Sequence, residues 1–404
     1  MSLPPKRVLQ AEERLLNEEL YQALRPRIIE FVERLQRAAT TEEWVYLHRD
    51  LLIEFGARQE AIDELLPTAK SEPATEMREL ARHDPKPIDE LTKRQEILER
   101  IGRQELVAEA TQHTLRQIGD GIAWRALRYD RRAISILGDG QRVGRLASGV
   151  GLDAEITELG RLWEEEGVFA IHNDLTNCLR HGDLTAIRPK DGTLDVQLIE
   201  VKAGARPEDT PQMRRLERAT ELLREGRRLT EEGDVLHVTL VAAPYETYLP
   251  LLPDLITTAH AEGHAWIRPH ECLLVGAVDY RVWAGRAEDF SARSQAERKE
   301  IGWAGDEPDV LDWLSSLRRI RDRGWSVSSM APYTIFPLSA EDVADLVMGF
   351  VDLARSLHLG ALERALTRED VQVRVARPGE AATLFLRLTG TRSGCCCRRI
   401  CGSR

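Results

Sequence analysis

No stretch of this sequence approaches the ~18–20 consecutive apolar residues that a membrane-crossing helix needs, and the opening segment MSLPPKRVLQ carries no apolar signal core. A cytoplasmic protein with no membrane partner is expected. An excess of positive charge is also missing, since the formal net charge is −11; this argues against a chain that coats nucleic acid indiscriminately. Binding through a local patch stays open, because fields between exposed charges are screened over about 8–10 Å. Cysteine is scarce in the body of the chain, where Cys178 and Cys272 stand alone as expected reduced thiols. The others, Cys395, Cys396, Cys397 and Cys401, crowd the segment SGCCCRRICGSR. Three adjacent cysteines do not converge easily on one tetrahedral ion, so residues 391–404 are read as a disordered Cys/Arg tail.

Familiar catalytic signatures are missing as well. There is no GxxxxGK[ST] phosphate loop, no HExxH pair, no serine elbow and no His-rich zinc spacing. No heptad pattern is sustained for three or four repeats, which favours a compact bundle over a long coiled coil. What is there is a chain of 404 residues, 42% hydrophobic and 30% charged, long enough for two or three folded domains.

The first 120 residues read as helix. Leu16, Leu20, Leu24, Ile28, Phe31 and Leu35 recur at threes and fours, with Pro26 as an interruption. Thr40 and Glu43 form a capping box that opens a second helix through Trp44, Leu47, Leu51, Ile53 and Phe55. Pro-bearing charged text from Ser71 to Pro87 reads as a linker, and another helix follows from about Ile88 to Ile118. A packed helical domain and a dimerisation or sensing arm fit this pattern equally. In residues 119–150, Arg125, Arg128, Arg131, Arg132, Arg142 and Arg145 could grip phosphates while Trp124 or Tyr129 stacks on a base; the competing account has Trp124 in the core and the arginines solvated.

The chemistry concentrates in His181 to Gly204, HGDLTAIRPKDGTLDVQLIEVKAG. Asp183 opens one apolar run, Lys190-Asp191-Gly192 supplies a turn, and a second run from Leu194 ends in Glu200-Val201-Lys202, so a hairpin is expected. Alternation along the strand sends Glu200 and Lys202 to one face and Ile199 and Val201 to the other. Charges ending a buried strand are costly unless paired or metal-bound. Asp183 and Glu200 supply hard oxygens suited to Mg²⁺, with Mn²⁺ as a substitute, and the Val201 backbone carbonyl is a further candidate ligand. Lys202 would hold or polarise the attacking water.

These residues resemble the PD-(D/E)XK nuclease superfamily, whose pattern is an Asp on one strand and Glu-x-Lys on the next. Asp183, Glu200 and Lys202 match it, while Gly182 stands where the pattern often has Pro. The resemblance covers roughly residues 150 to 280 and implies Mg²⁺-dependent phosphodiester hydrolysis on a restriction-endonuclease-like fold. In that fold a helix glutamate sometimes assists the metal, with Glu155 and Glu158 as candidates. In some branches a Gln after the Glu-x-Lys strand joins the site, a position that Gln212 matches.

Around the hairpin, a helix from Asp153 to Glu166 and a strand from Val168 to Ile171 come before it. Between that strand and Asp183, Asn173 and Asp174 are near enough in sequence to reach the site and His172 or His181 could touch a phosphate; a self-satisfied turn is the alternative. After it come a helix from Thr210 to Leu229 bearing Arg214, Arg215 and Arg218, a strand from Val235 to Ala242, a helix from Leu249 to Ala261, and strands His264–Ile267 and Cys272–Val278. That order suits a mixed sheet flanked by helices. Further on, helices are expected at Val310–Ile320 and Ser339–Leu357, and strands at Val371–Val375 and Thr383–Leu388.

The expected class is α/β: a helical N-terminal region (1–120), a nuclease-like domain with a mixed sheet (121–280), a small α+β C-terminal domain (281–390) and the tail (391–404). The expected activity is a metal-dependent endonuclease acting on DNA, with RNA as the other candidate substrate, working as a homodimer or within a multi-subunit complex. Defence against phage or plasmids is the expected setting. The alternative is a non-catalytic nucleic-acid-binding or regulatory subunit on the same sheet.

Overall fold

The computed structural model describes residues 18–80, 87–138, 146, 150–190, 193–202, 210–225, 227–229, 235–237, 248–283, 287–303, 310–314, 331–366, 371–376 and 383–388. They mix helix and sheet and cluster in two compact units, one drawn from residues 11–245 and 326–336, the other from the rest beyond 245.

The first unit opens with α1 (Glu19–Gln22), α2 (Arg25–Arg37), α3 (Thr41–Leu80) and α4 (Pro87–Ala126). Pro26 lies in the first turn of α2, where a missing N–H costs nothing, so it starts that helix rather than interrupting it. The capping box forms: the Thr40 hydroxyl accepts from the Glu43 amide at 3.2 Å and the Glu43 carboxylate from the Thr40 amide at 2.9 Å. The linker expected from Ser71 is instead helical as far as Leu80, its Glu, Ala, Met, Arg and Leu outweighing Pro73. Tyr21, Ile28, Phe31, Leu35, Leu47, Leu51, Phe55, Leu115, Ile118 and Ile122 are buried between these helices. Full burial of each aliphatic or Phe side chain contributes about 1.5–3 kcal/mol.

After α5 (Arg131–Leu137) and α6 (Val150–Glu166) come β1 (Phe169–His172), β2 (Leu184–Lys190) and β3 (Thr193–Ile199), an antiparallel sheet in that order. The β2–β3 register runs from Leu184 opposite Ile199 to Lys190 opposite Thr193. Then follow α7 (Pro211–Glu225) and a short pair, β4 (Arg227–Leu229) with β5 (Val235–His237). Of the strand expected from Val235 to Ala242, only these first residues are described. The sheet rests on a core of Leu162, Val168, Ala170, Leu184 and Ala186, against which Leu159, Ile199 and Val201 pack.

The helices and this sheet belong to one unit, and the expected boundary at 120 falls inside α4. Asp120, fully buried, accepts from the Asn177 amide at 2.6 Å, the Asn177 side chain at 2.8 Å and the Cys178 amide at 2.9 Å. It thereby holds the loop that leads into β2. From α3, Trp44 packs on Phe169 of β1 with ring centroids 6.0 Å apart.

The second unit holds α8 (Leu252–Glu262), β6 (His264–His270), β7 (Leu273–Asp279), α9 (Ala287–Glu300), β8 (Val310–Leu314), α10 (Ala340–Met348), β9 (Val351–His358), α11 (Leu359–Leu366), β10 (Val371–Ala376) and β11 (Thr383–Leu388). Its main sheet has the order β6-β7-β9-β8, and β10 pairs with β11. The strands β6 and β7, expected in the same mixed sheet as the hairpin, therefore lie in a different sheet, where β7 pairs with β9 from Leu273 opposite Leu357 to Asp279 opposite Val351. Every strand pairing among the described residues is antiparallel, so the expected mixed sheet does not appear among them. The domain edge expected at 280 likewise falls within this unit, directly after β7.

Two helices expected here are corrected. Residues 310–314, VLDWL, form a strand; the run is too short for its spacing to distinguish the two states. The helix capped by Ser339, whose hydroxyl accepts from the Asp342 amide at 3.1 Å, stops at Gly349 with φ +76°, and Val351–His358 returns as a strand. Within this unit Arg281 donates to two buried carboxylates, Asp279 at 2.8 Å and Asp345 at 2.7 Å, while His260 meets Asp279 at 2.7 Å and Asp342 at 3.1 Å. No described helix is long and apolar enough to cross a membrane. The Cys/Arg tail, Arg142 and Arg145 lie outside the described residues.

Candidate active site

Gly182, two residues before β2, has φ +76°, a conformation that proline cannot take and other L-residues take at a cost. A Cβ there would lie 2.7 Å from the Ile199 carbonyl oxygen and 2.9 Å from Leu216. The chain thus needs glycine at this point of the motif. The turn delivers Asp183 to the end of the hairpin, where its amide donates to the Ile199 carbonyl at 2.9 Å. Asn173 supports the same turn: its side-chain amide donates to the carbonyls of His181 at 2.9 Å and Gly182 at 3.0 Å, and its oxygen accepts from Thr185 at 2.8 Å.

Across the hairpin, alternation past the end of β3 turns Ile199 and Val201 into the core and leaves Glu200 and Lys202 to converge with Asp183. The Val201 amide donates to the Asp183 carboxylate at 2.7 Å. Glu200 is buried and has both oxygens engaged: Lys202 donates to one, and the Gln212 side chain, from the first turn of α7, donates to the other at 2.7 Å. Asp183, Glu200, Lys202, Val201 and Gln212 are therefore brought together, including the one residue from beyond the hairpin.

Burial pushes the Asp183 carboxyl up to about 6; the negative charges of Glu200 and Glu155 add to this, and the Val201 N–H opposes it. The hydrogen bond to Glu200 holds the Lys202 ammonium above its ordinary range. Burial, reinforced by the neighbouring carboxylates, thus makes Asp183 a reluctant anion that a cation would relieve. Among the described residues no three His, Cys, Asp or Glu side chains form a ready metal cage. Two hard carboxylates, a nearby backbone carbonyl and water match Mg²⁺ instead, which keeps several waters and takes one or two protein carboxylates.

The two candidate helix glutamates separate. Glu158 accepts from Arg161 at 2.7 Å. Glu155 is buried, and its carboxylate accepts from His172 at 2.7 Å. His172 is 1% exposed, so the reading in which it touches a phosphate is corrected. Its backbone amide donates to Nε2 of His48 on α3 at 3.0 Å, and burial pushes the His48 imidazole down to about 3. Asp174 is half-buried, its backbone carbonyl accepting from Arg116 at 2.9 Å, and burial raises its carboxyl. The sequence carried no sign of His48, whose partner lies far along the chain.

Of the arginines before the hairpin, Arg125 and Arg132 take structural roles, while Arg128 and Arg131 are exposed. Arg125 donates to the carbonyls of Leu35 and Ala38, Arg132 to that of Leu223, and Trp124 is buried. Tyr129 is exposed, as are Arg214, Arg215 and Arg218 on α7. No protein-family model, curated protein or solved structure matches the chain.

Proposed function

We propose that this chain is a metal-dependent nuclease that hydrolyses phosphodiester bonds of DNA on a restriction-endonuclease-like core. The observation that carries the reading is the convergence of Asp183, Glu200, Lys202 and Gln212 at one end of the β2–β3 hairpin. A pair of acids with a lysine partner is the donor set that phosphodiester hydrolysis uses, and the buried Glu200 and half-buried Asp183 carboxylates bias the site toward a cation.

Asp183 and Glu200, with the Val201 carbonyl, would hold Mg²⁺ or Mn²⁺. When bound, the ion supplies charge stabilisation at the scissile phosphate and lowers the pKa of coordinated water. The chain's own residues do the rest. Val201 fixes the Asp183 carboxylate through its amide. Gln212 holds the Glu200 carboxylate from α7 and leaves Lys202 free to exchange that acid for water or phosphate. Lys202 then orients the attacking water and offsets charge that develops on the phosphate oxygens. The exposed Arg214, Arg215 and Arg218 place positive charge on the helix that carries Gln212, a suitable approach for a polyanion.

The test is cleavage of plasmid DNA and of a matched RNA with Mg²⁺ or Mn²⁺ by the wild type, Asp183→Ala and Lys202→Ala. Nicking by the wild type alone supports the reading, and the preferred polymer names the substrate. A wild type inert with both metals, or variants that cleave as well as it does, would leave the alternative of a non-catalytic binding subunit. The closed Lys202–Glu200–Gln212 cluster is the observation that favours that alternative.

A further inference from the structure

We propose that Tyr129, flanked by Arg128 and Arg131 on the turn between α4 and α5, is a stacking subsite for an unpaired base of single-stranded nucleic acid, remote from the cleavage centre. The inference rests on the nuclease reading above for nucleic acid as the partner, and it names the kind of strand that the chain holds.

The backbone carries the first step. Arg128 has φ +52° and Tyr129 φ +59°, and among the described residues no others except glycines have a positive φ. L-side chains take this conformation at a cost; residues held in it persist only where their surroundings fix them, and they cluster at ligand contacts. Here the turn is fixed by hydrogen bonds. The Tyr129 amide donates to the Trp124 carbonyl at 2.7 Å, the Arg128 amide to that of Arg125 at 2.9 Å and the Asp130 amide to that of Leu127 at 3.0 Å. Asp130 then caps α5, accepting from the amides of Arg132 at 2.9 Å and Ala133 at 3.1 Å. All of these bonds are made by backbone atoms or by Asp130, so glycine at position 129 would close the same turn with less strain. The turn therefore does not need the tyrosine ring.

The ring's exposure and company supply the second step. Tyr129 is 52% exposed, and Arg128 and Arg131 on either side of it are exposed as well. Residues 125 to 132, RALRYDRR, hold four arginines against one acid, and that acid is engaged in the cap. Guanidinium groups pair with phosphates, and an aromatic face stacks on a base. In a duplex the base faces are already stacked on one another, so an exposed ring of this kind meets a base only in an unpaired strand.

The turn is also tied to the candidate site. Arg132 donates to the Leu223 carbonyl, which joins α5 to the end of α7, and Gln212 at the other end of that helix holds Glu200. About 16 Å of helix separates Gln212 from Leu223 at about 1.5 Å per residue. A strand held at Tyr129 is thus bound away from the scissile bond, and the subsite acts on affinity rather than on the chemical step.

The experiment is fluorescence anisotropy of labelled oligothymidylate and of a labelled duplex, titrated with the full chain in EDTA so that neither is cut. The single strand should bind more tightly than the duplex. Tyr129→Gly should weaken single-strand binding by about 5- to 150-fold, the usual worth of one stacked base, and leave the melting temperature unchanged or higher. Tyr129→Phe, which keeps the ring, should bind as the wild type does. Arg131→Gln should lower the slope of log affinity against log salt by about 0.7, the value of one single-strand phosphate contact. Unchanged single-strand binding in Tyr129→Gly, no preference over the duplex, an equal loss in Tyr129→Phe or an unchanged salt slope in Arg131→Gln overturns the proposal. A lower melting temperature or failure to fold in Tyr129→Gly overturns it too, because the ring would then serve the fold. Cleavage with Mn²⁺ separates the two levels of argument. If the wild type binds single strands through Tyr129 and cuts nothing, the nuclease reading falls and the subsite stands; if it cuts, and Tyr129→Gly binds and cuts equally well, only the subsite falls.

Discussion

Val201 gives its backbone N–H to the carboxylate of Asp183 at 2.7 Å, joining the start of β2 to the residue between Glu200 and Lys202. The side chain of the same residue packs on Leu162, Val168, Leu184 and their neighbours. One residue therefore fixes the spacing of the two acids and ties that spacing to the core. Several measurable consequences come from this arrangement.

Lys202 occupies Glu200 in the cation-free site. Replacing it with Met should lower DNA cleavage by about 100- to 1000-fold, the usual cost of removing one electrostatic stabiliser. The same variant should bind Mn²⁺ at least as tightly as the wild type, because a competing cation is gone. Parallel cleavage assays and Mn²⁺ titrations check the pair, and a loss of both would place Lys202 in metal binding instead.

The Asp183 carboxyl, at about 6 in the fold against 3.8 in its ordinary state, favours the folded protein fully only below the lower value. That contribution is lost as pH rises through 6, since the folded state then releases a proton it held more tightly. Asp183→Asn removes the dependence and keeps an acceptor for Val201. The variant should match the wild type near pH 4 and exceed it by about 1–2 kcal/mol at pH 7.5, after discounting for partial exposure. Saturating Mn²⁺ should raise the melting temperature of the wild type at pH 7.5 and not that of the variant. Thermal unfolding across pH, with and without Mn²⁺, gives both answers.

Gly182→Pro would install the residue that the superfamily pattern often has, yet φ +76° forbids it here. A loss of about 3 kcal/mol or more is expected, or failure to fold. Gly182→Ala should cost less, although its Cβ presses on the Ile199 carbonyl and Leu216. Denaturant midpoints rank the two.

Asp120→Ala would leave the amides of Asn177 and Cys178 without their buried acceptor. About 3–5 kcal/mol of stability should be lost, measured by denaturant unfolding. Asp120→Asn retains an oxygen for those amides and should fall between. Cleavage by whichever variant folds should also drop, because the loop it releases ends at Gly182 and Asp183.

Local features were legible in the sequence for local reasons. The capping box at Thr40 and Glu43, the helix before β1 and the hairpin that joins Asp183 to Lys202 each depend on residues near one another in the chain. Gln212 was legible only through resemblance, as one residue at the right distance. Pairings between distant segments were not legible: nothing in His264–Asp279 announces that β7 will take β9 as its partner, nor in His48 that it will meet His172. Residues 351–358 were misread because Val351, Leu353 and Leu357 also suit a helix, whereas Asp352, Arg355 and Ser356, buried in the strand, find partners only in the folded sheet. Glu155 and Glu158 carry identical chemistry three residues apart, and only the fold aims one of them inward.

The ion pair between Lys202 and Glu200 has one more consequence. A domain built around a structural zinc collapses when a chelator strips it. Here the lysine is a resident counterion, so Glu200 keeps a positive partner whether or not a metal is present. The fold and the readiness of the site are thereby uncoupled: EDTA would silence such a centre while leaving its scaffold standing, and returning the metal would need no refolding.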